Sequence, residues 1–135
     1  MVNQNKIVKH GLIILRGKKF LINRKAGTKL FLLPGGKPET GETPEECMKR
    51  EIQEEHRCEV VGGSIKYIGL FEDWAANEPD TIISIWLYLA EIKGEPEPSS
   101  EIEEQRWFGR EDNPEILSPV LRNQILPELI RKGII

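Results

Sequence analysis

Residues 35–60 read GGKPETGETPEECMKREIQEEHRCEV, a stretch with eight Glu against four Lys or Arg. Thr43-Pro44-Glu45-Glu46 starts a helix on three signals: a Thr able to cap, Pro at the first helical position, and Glu three residues beyond the cap. The helix should run to about His56. On a turn of about 100° per residue, Glu51, Glu54 and Glu55 stand at i, i+3 and i+4, which puts three carboxylates on one face. Each neighbouring pair costs a few tenths of a kcal/mol, a penalty that a bound divalent cation would reverse. Oxygen-only ligands of this kind suit Mg²⁺ or Mn²⁺. A Glu-rich helix is ordinarily a solvated face. Two features weigh against that reading here. Met48 and Ile52, one turn apart, mark the helix as packed, and Arg50 is a fixed cation able to orient a carboxylate without occupying the metal position. The Gly35-Gly36 pair just ahead lets backbone approach a ligand closely.

Outward from this segment, Ile7–Leu15 (IVKHGLIIL) and Phe20-Leu21-Ile22 flank Arg16-Gly17-Lys18-Lys19 and predict a β-hairpin. Leu30–Leu33 predicts a short strand closed by Pro34-Gly35-Gly36. Glu59–Phe71 predicts one strand bent at Gly62-Gly63, and Thr81–Ile92 a central strand covered on both faces, with Trp86 in the core. Gly94–Ser100 is a loop, Glu104–Phe108 a final strand, and Pro114–Lys132 a helix kinked or divided by Pro119 and Pro127. The order predicts a mixed α/β sandwich.

The 135 residues suit one domain. No apolar run is long enough to span a bilayer and MVNQNKIVKHG lacks a secretory signal, so the expected location is cytoplasmic and no membrane partner is expected. Cys47 and Cys58 have neither a disulfide framework nor a zinc spacing, and are expected to be reduced and partly buried. His10 and His56 lack partners at ligand spacing and read as structural or solvent-exposed. A net charge of −3 leaves no evident nucleic-acid surface.

Gly36, Glu42, Arg50-Glu51-Ile52 and Glu54-Glu55, at these spacings and preceded by Leu33-Pro34-Gly35, resemble the signature of the Nudix hydrolase family, small MutT-like members included. The resemblance implies a single Nudix domain over residues 1–135, folded as an α/β/α sandwich with a mixed sheet and a loop-helix-loop catalytic motif. The chain departs from the family pattern at Arg57-Cys58, where Gly and an aliphatic residue are usual. Gly would close the helix in the left-handed conformation, and Arg meets a steric cost there.

The resemblance implies metal-dependent hydrolysis of a diphosphate linkage in a nucleoside diphosphate derivative. Glu54 and Glu55 would be metal ligands, Glu51 a ligand or the base, and the Gly36 carbonyl a further ligand. Mg²⁺ is the implied cofactor, with Mn²⁺ as the other candidate. Arg50 would hold the carboxylates with Glu42 as structural partner. Glu101 resembles a position that supplies a further carboxylate in some members, with Glu103 and Glu104 as competitors. Arg24 corresponds to a basic residue that touches substrate in nucleoside triphosphate members, or is a surface residue. Trp74 could stack on a base and Asn77 read its edge. The Pro and Tyr marks of ADP-ribose and dinucleoside polyphosphate members are absent, and small size with a bare single domain leans toward nucleoside triphosphates, oxidised ones included, with ADP-ribose, dinucleoside polyphosphates or another nucleoside diphosphate derivative as the alternative. The rival reading is a non-catalytic nucleotide sensor. Homodimers are common in the family, but no patch in the sequence marks an interface.

Overall fold

In β1 (Asn5–Arg16), Leu12 and Ile14 face one side of the sheet while Ile13 faces the other, and all three are buried. β2 (Lys19–Lys25) alternates likewise, with Leu21 on one side and Phe20 and Ile22 on the other. Period-two alternation with both faces apolar is what a strand covered on both sides requires. The computed structural model describes residues 5–135. The strand order is β5 (Lys66–Trp74), β6 (Thr81–Ala90), β1, β2, β8 (Ile102–Phe108), with β3 (Gly35–Gly36) also paired to β1. β6 and β1 run parallel and the other neighbours antiparallel, so the sheet is mixed. β4 (Glu59–Val60) and β7 (Ile92–Lys93) form a separate two-stranded ribbon. The α1 helix (Pro44–His56) packs Met48 and Ile52 over Leu12, Ile14 and Leu21. Leu121, Ile125 and Leu129 cover the opposite face, giving an α/β/α sandwich. Among the described residues no helix is long and apolar enough to cross a membrane.

The N-terminus of α1 is as expected: the Thr43 hydroxyl accepts from the Glu46 N–H and the Glu46 carboxylate accepts from the Thr43 N–H. At its C-terminus Arg57 adopts the left-handed conformation itself, with φ 55° and ψ 36°. Its guanidinium donates to Ser99 Oγ at 3.0 Å and to Glu97 at 3.3 Å. Cys58 fills the aliphatic position, buried among the residues under α1. A non-glycine residue in the left-handed region costs about 1–2 kcal/mol, and exposed ion pairs return at most about 1 kcal/mol. Arg57→Gly should therefore raise stability by about 0.5–1 kcal/mol after the entropy of glycine is counted. Urea denaturation tests this, and a loss of stability would mean that the side-chain contacts hold the cap.

Several expectations change. The span expected as one bent strand is broken after Val60, where the Val61–Ser64 turn separates β4 from β5. Leu30–Leu33 makes only isolated bridges, Leu32 to Asn23 and Phe31 to Leu117; its side chains fill core space while Gly35–Gly36 does the pairing. The last helix is divided into a 3-10 turn (Pro114–Ile116), a π-helical turn (Leu121–Ile125) and α2 (Leu126–Arg131). Pro127 has no N–H to donate and its ring would strike the Asn123 carbonyl in a regular helix, so the wider π turn falls where that clash would occur. Trp86 is 38% exposed rather than core, because α1 covers only the Leu12–Ile14 end of that sheet face. It packs on Tyr67.

Candidate active site

The buried residues of α1 are Cys47, Met48, Ile52, Glu55 and His56, so Glu55 lies one turn along the apolar stripe from Ile52. Glu55 is 4% exposed, and its carboxylate accepts the Gly35 N–H at 3.0 Å. Burial pushes its pKa up to about 8, against the opposing pull of that N–H, with the Glu51 charge adding to the rise. Glu51, at the rim of the stripe, is also raised, first by burial. The carboxyl group of Glu51 lies where a side chain on residue 36 would begin, since a Cβ on Gly36 would stand 2.6–2.9 Å from its atoms. Glycine at 36 thus makes the space that lets this carboxylate lie against the backbone.

Arg50 gathers the acidic groups. It donates from Nε and Nη2 to both Glu42 oxygens, at 2.7 and 2.9 Å, from Nη1 to Glu51 at 2.6 Å and to Glu54 at 3.3 Å, and from Nη2 to the Lys37 carbonyl at 3.1 Å. These bonds bring the Glu42 pKa down to about 2, the Arg50 guanidinium first and the Glu39 N–H second. Glu54 is turned to Arg50 and half exposed. The three carboxylates expected on one face are therefore not gathered at one point, and among the described residues no three acidic, His or Cys side chains stand ready around a metal. The reason is angular: Glu54 and Glu55 are about 100° apart on the helix, and here one faces solvent and the other the core. The Gly36 carbonyl accepts the Cys47 thiol at 3.6 Å, and burial pushes that thiol up to about 12.

Two cavities meet here. The outer one is lined by Glu51, Glu55, Glu101, Gly36, Lys37 and Arg50. The inner one runs under β1 and β6, with Leu33, Ile83, Ile85, Val120 and Leu121 as apolar wall and Asn23, Lys9 and Ser118 as polar groups. Lys9, Lys25, Gly35 and Glu55 border both. Of the three competing glutamates only Glu101 reaches the outer cavity, paired with Lys25 at 3.2 Å.

Three proposed substrate contacts lie elsewhere. Arg24 donates to the Thr28 carbonyl, Glu103 and Glu104 and borders neither cavity; strand alternation points its neighbours Asn23 and Lys25 inward instead. Trp74 is 51% exposed on the outer sheet face. Asn77 is exposed too, while Ala76 borders the inner cavity and Glu78 the outer one.

Lys9 and Asn23 escape a reading of the sequence by motif. The signal for Lys9 is a charge on the core-facing alternation of IVKHGLIIL. Asn23 is buried and donates to His56 Nε2 at 2.9 Å, while His56 Nδ1 donates to Gln105 at 2.8 Å. His56 thus has partners; burial lowers its pKa and keeps it neutral. His10 is buried, and its Nδ1 has no partner among the described residues.

The NUDIX domain family profile matches residues 7–129. The chain belongs to that family. It is 37% identical over 91 residues to an 8-oxo-dGTP diphosphatase of Escherichia coli, covering 64% of this chain and 67% of that protein. A Haemophilus influenzae 8-oxo-dGTP diphosphatase is 37% identical over 84 residues, covering 59% and 58%. The chain thus spans about two thirds or less of these relatives. The crystal structure of a MutT Nudix hydrolase from Burkholderia pseudomallei superposes with a TM-score of 0.74 at 25% identity, over 88% of this chain and 95% of that one. This Nudix chain is MutT-like and a pyrophosphohydrolase. Nudix hydrolases generally use divalent metal ions.

Proposed function

We propose that this Nudix chain hydrolyses a nucleoside triphosphate, an oxidised purine triphosphate first among candidates, to the nucleoside monophosphate and pyrophosphate with Mg²⁺. The observation that carries this reading is the shared wall: an apolar slot of base-binding character opens onto a cavity of carboxylates and lysines. The 8-oxo-dGTP diphosphatases among its relatives point the same way.

Glu51, Glu54, Glu55 and the Gly36 carbonyl would hold the metal, an oxygen-only donor set that suits Mg²⁺ or Mn²⁺. Glu54 would leave Arg50 to do so. When bound, the ion would polarise the phosphate oxygens and neutralise charge that develops on them. Arg50 keeps Glu51 oriented and, through Glu42 and the Lys37 carbonyl, ties the preceding loop to the helix. Lys25 and Lys37 offer ammonium groups to the outer phosphates, and Glu101 orders Lys25. Water oxygen attacks phosphorus, the bridging P–O bond breaks, and the proton passes to one of the two covered carboxylates, Glu51 or Glu55.

The test is pyrophosphate and phosphate release from nucleoside triphosphates, 8-oxo-dGTP, ADP-ribose and dinucleoside polyphosphates, in Mg²⁺, Mn²⁺ and EDTA. Pyrophosphate release from a purine triphosphate that stops in EDTA is the expected result. Turnover of ADP-ribose or a dinucleoside polyphosphate instead would move the substrate class, and nucleotide binding without turnover would make the chain a sensor.

A further inference from the structure

Lys9 sits mid-strand in β1, in register with Ile85 of β6, on the sheet face that carries the inner cavity. It is half-buried, an expensive place for an ammonium without a counterion. Among the described residues its Nζ makes no ion pair and no hydrogen bond, whereas Lys25, the other lysine bordering both cavities, is paired with Glu101. Lys37, exposed, lines only the outer cavity. Lys9 is therefore the uncommitted cation at the passage from the apolar slot to the carboxylate cavity.

We propose that Lys9 holds the phosphate attached to the nucleoside, and so determines specificity for nucleotides over nucleosides. The inference rests on the function proposed above: with the base in the inner cavity and the outer phosphates among the carboxylates, the group crossing the shared wall is the phosphate on the sugar. That phosphate is anionic before and after hydrolysis, so Lys9 contacts substrate and product alike. Its aliphatic stem can lie along the apolar wall while the ammonium meets the phosphate, and a charge-assisted contact in a partly dry site is stronger than one in water.

The experiment is calorimetric binding of 8-oxo-dGMP and of the nucleoside 8-oxo-dG, in Mg²⁺, to the wild type, Lys9→Met and Lys9→Arg, with melting curves as the folding control. The wild type should prefer the monophosphate over the nucleoside. Lys9→Met should lose roughly 10- to 100-fold of monophosphate affinity, leave nucleoside affinity unchanged, and so collapse the ratio. Lys9→Arg should keep most of it. An unchanged ratio in Lys9→Met overturns the inference while leaving the proposed function intact. Equal loss of both ligands would make Lys9 a support of the slot and overturn it too. Should the wild type bind neither compound, the substrate reading falls and takes this inference with it.

Discussion

Glu55→Gln should lower metal-dependent turnover on the order of 10²–10³-fold or more, the scale seen when one preorganised charge-stabilising group is lost, and yield a protein that melts higher than the wild type in EDTA at pH 8. The two effects have one cause. Glu55 is buried, and burial raises its pKa in the folded protein to about 8. In the unfolded chain it titrates near the ordinary 4.5. An acid whose folded pKa is raised contributes its full stability below the unfolded value, and that stability is lost as pH rises from about 4.5 through 8. At about 1.4 kcal/mol per pKa unit, ionisation costs the metal-free fold some kcal/mol at alkaline pH. Glutamine keeps an oxygen to accept the Gly35 N–H but carries no charge. The melting difference between variant and wild type should therefore be small at pH 5 and widen steadily to pH 8. Glu51, raised in the same direction, keeps part of the slope in the variant. Mg²⁺ should stabilise the wild type more than the variant. A variant with wild-type turnover would remove Glu55 from the metal site, and a melting difference independent of pH would remove its charge as the source of instability.

Gly35→Ala should destabilise by roughly 3–5 kcal/mol, in the range reserved for strained backbone and broken pairing. Gly35 has φ 137°, and a Cβ there would stand 2.0 Å from the His10 carbonyl oxygen. That oxygen is backbone of β1, so no side chain can yield. To admit the methyl, β3 must leave β1, and the Gly35–Gly11 and Gly36–His10 pairs go with it. The Gly35 N–H then no longer meets Glu55, and the Gly36 backbone no longer lies under the Glu51 carboxyl group. Turnover should fall with stability even where the variant still folds at low temperature. Gly36→Ala is the control, because its Cβ meets the end of a flexible Glu51 side chain; it should disturb the site with a smaller loss of stability. Urea denaturation of the two variants side by side tests this, and equal losses would mean that the β3–β1 pairing contributes little.

Much was determined by the sequence alone, and all of it is short in range. The capping box at Thr43, the turn at Gly17, and the span of α1 depend on residues within four positions of one another, and each stands where the local pattern puts it. The spacing from Gly36 to Glu55 was also legible, and with it the family. What tertiary structure decided is direction and convergence. The helix carries Glu54 and Glu55 side by side, but only packing against the sheet sends one into the interior and leaves the other to Arg50 and solvent. Arg24 borders neither cavity, because strand alternation faces its neighbours Asn23 and Lys25 to them instead. Pro127 announced a disturbance, and the form it took, a π turn, depends on keeping Leu121, Ile125 and Leu129 all on the core. Lys9 was invisible as a site because the groups that make it one lie far from it in the chain: Ile85 reaches it through sheet pairing, and Glu55 and Glu101 share a cavity with it only in the folded protein. Hydrogen bonds to adjacent residues are written in local order, whereas a cavity is made by segments far apart in the chain, and its lining exists only once the core has closed.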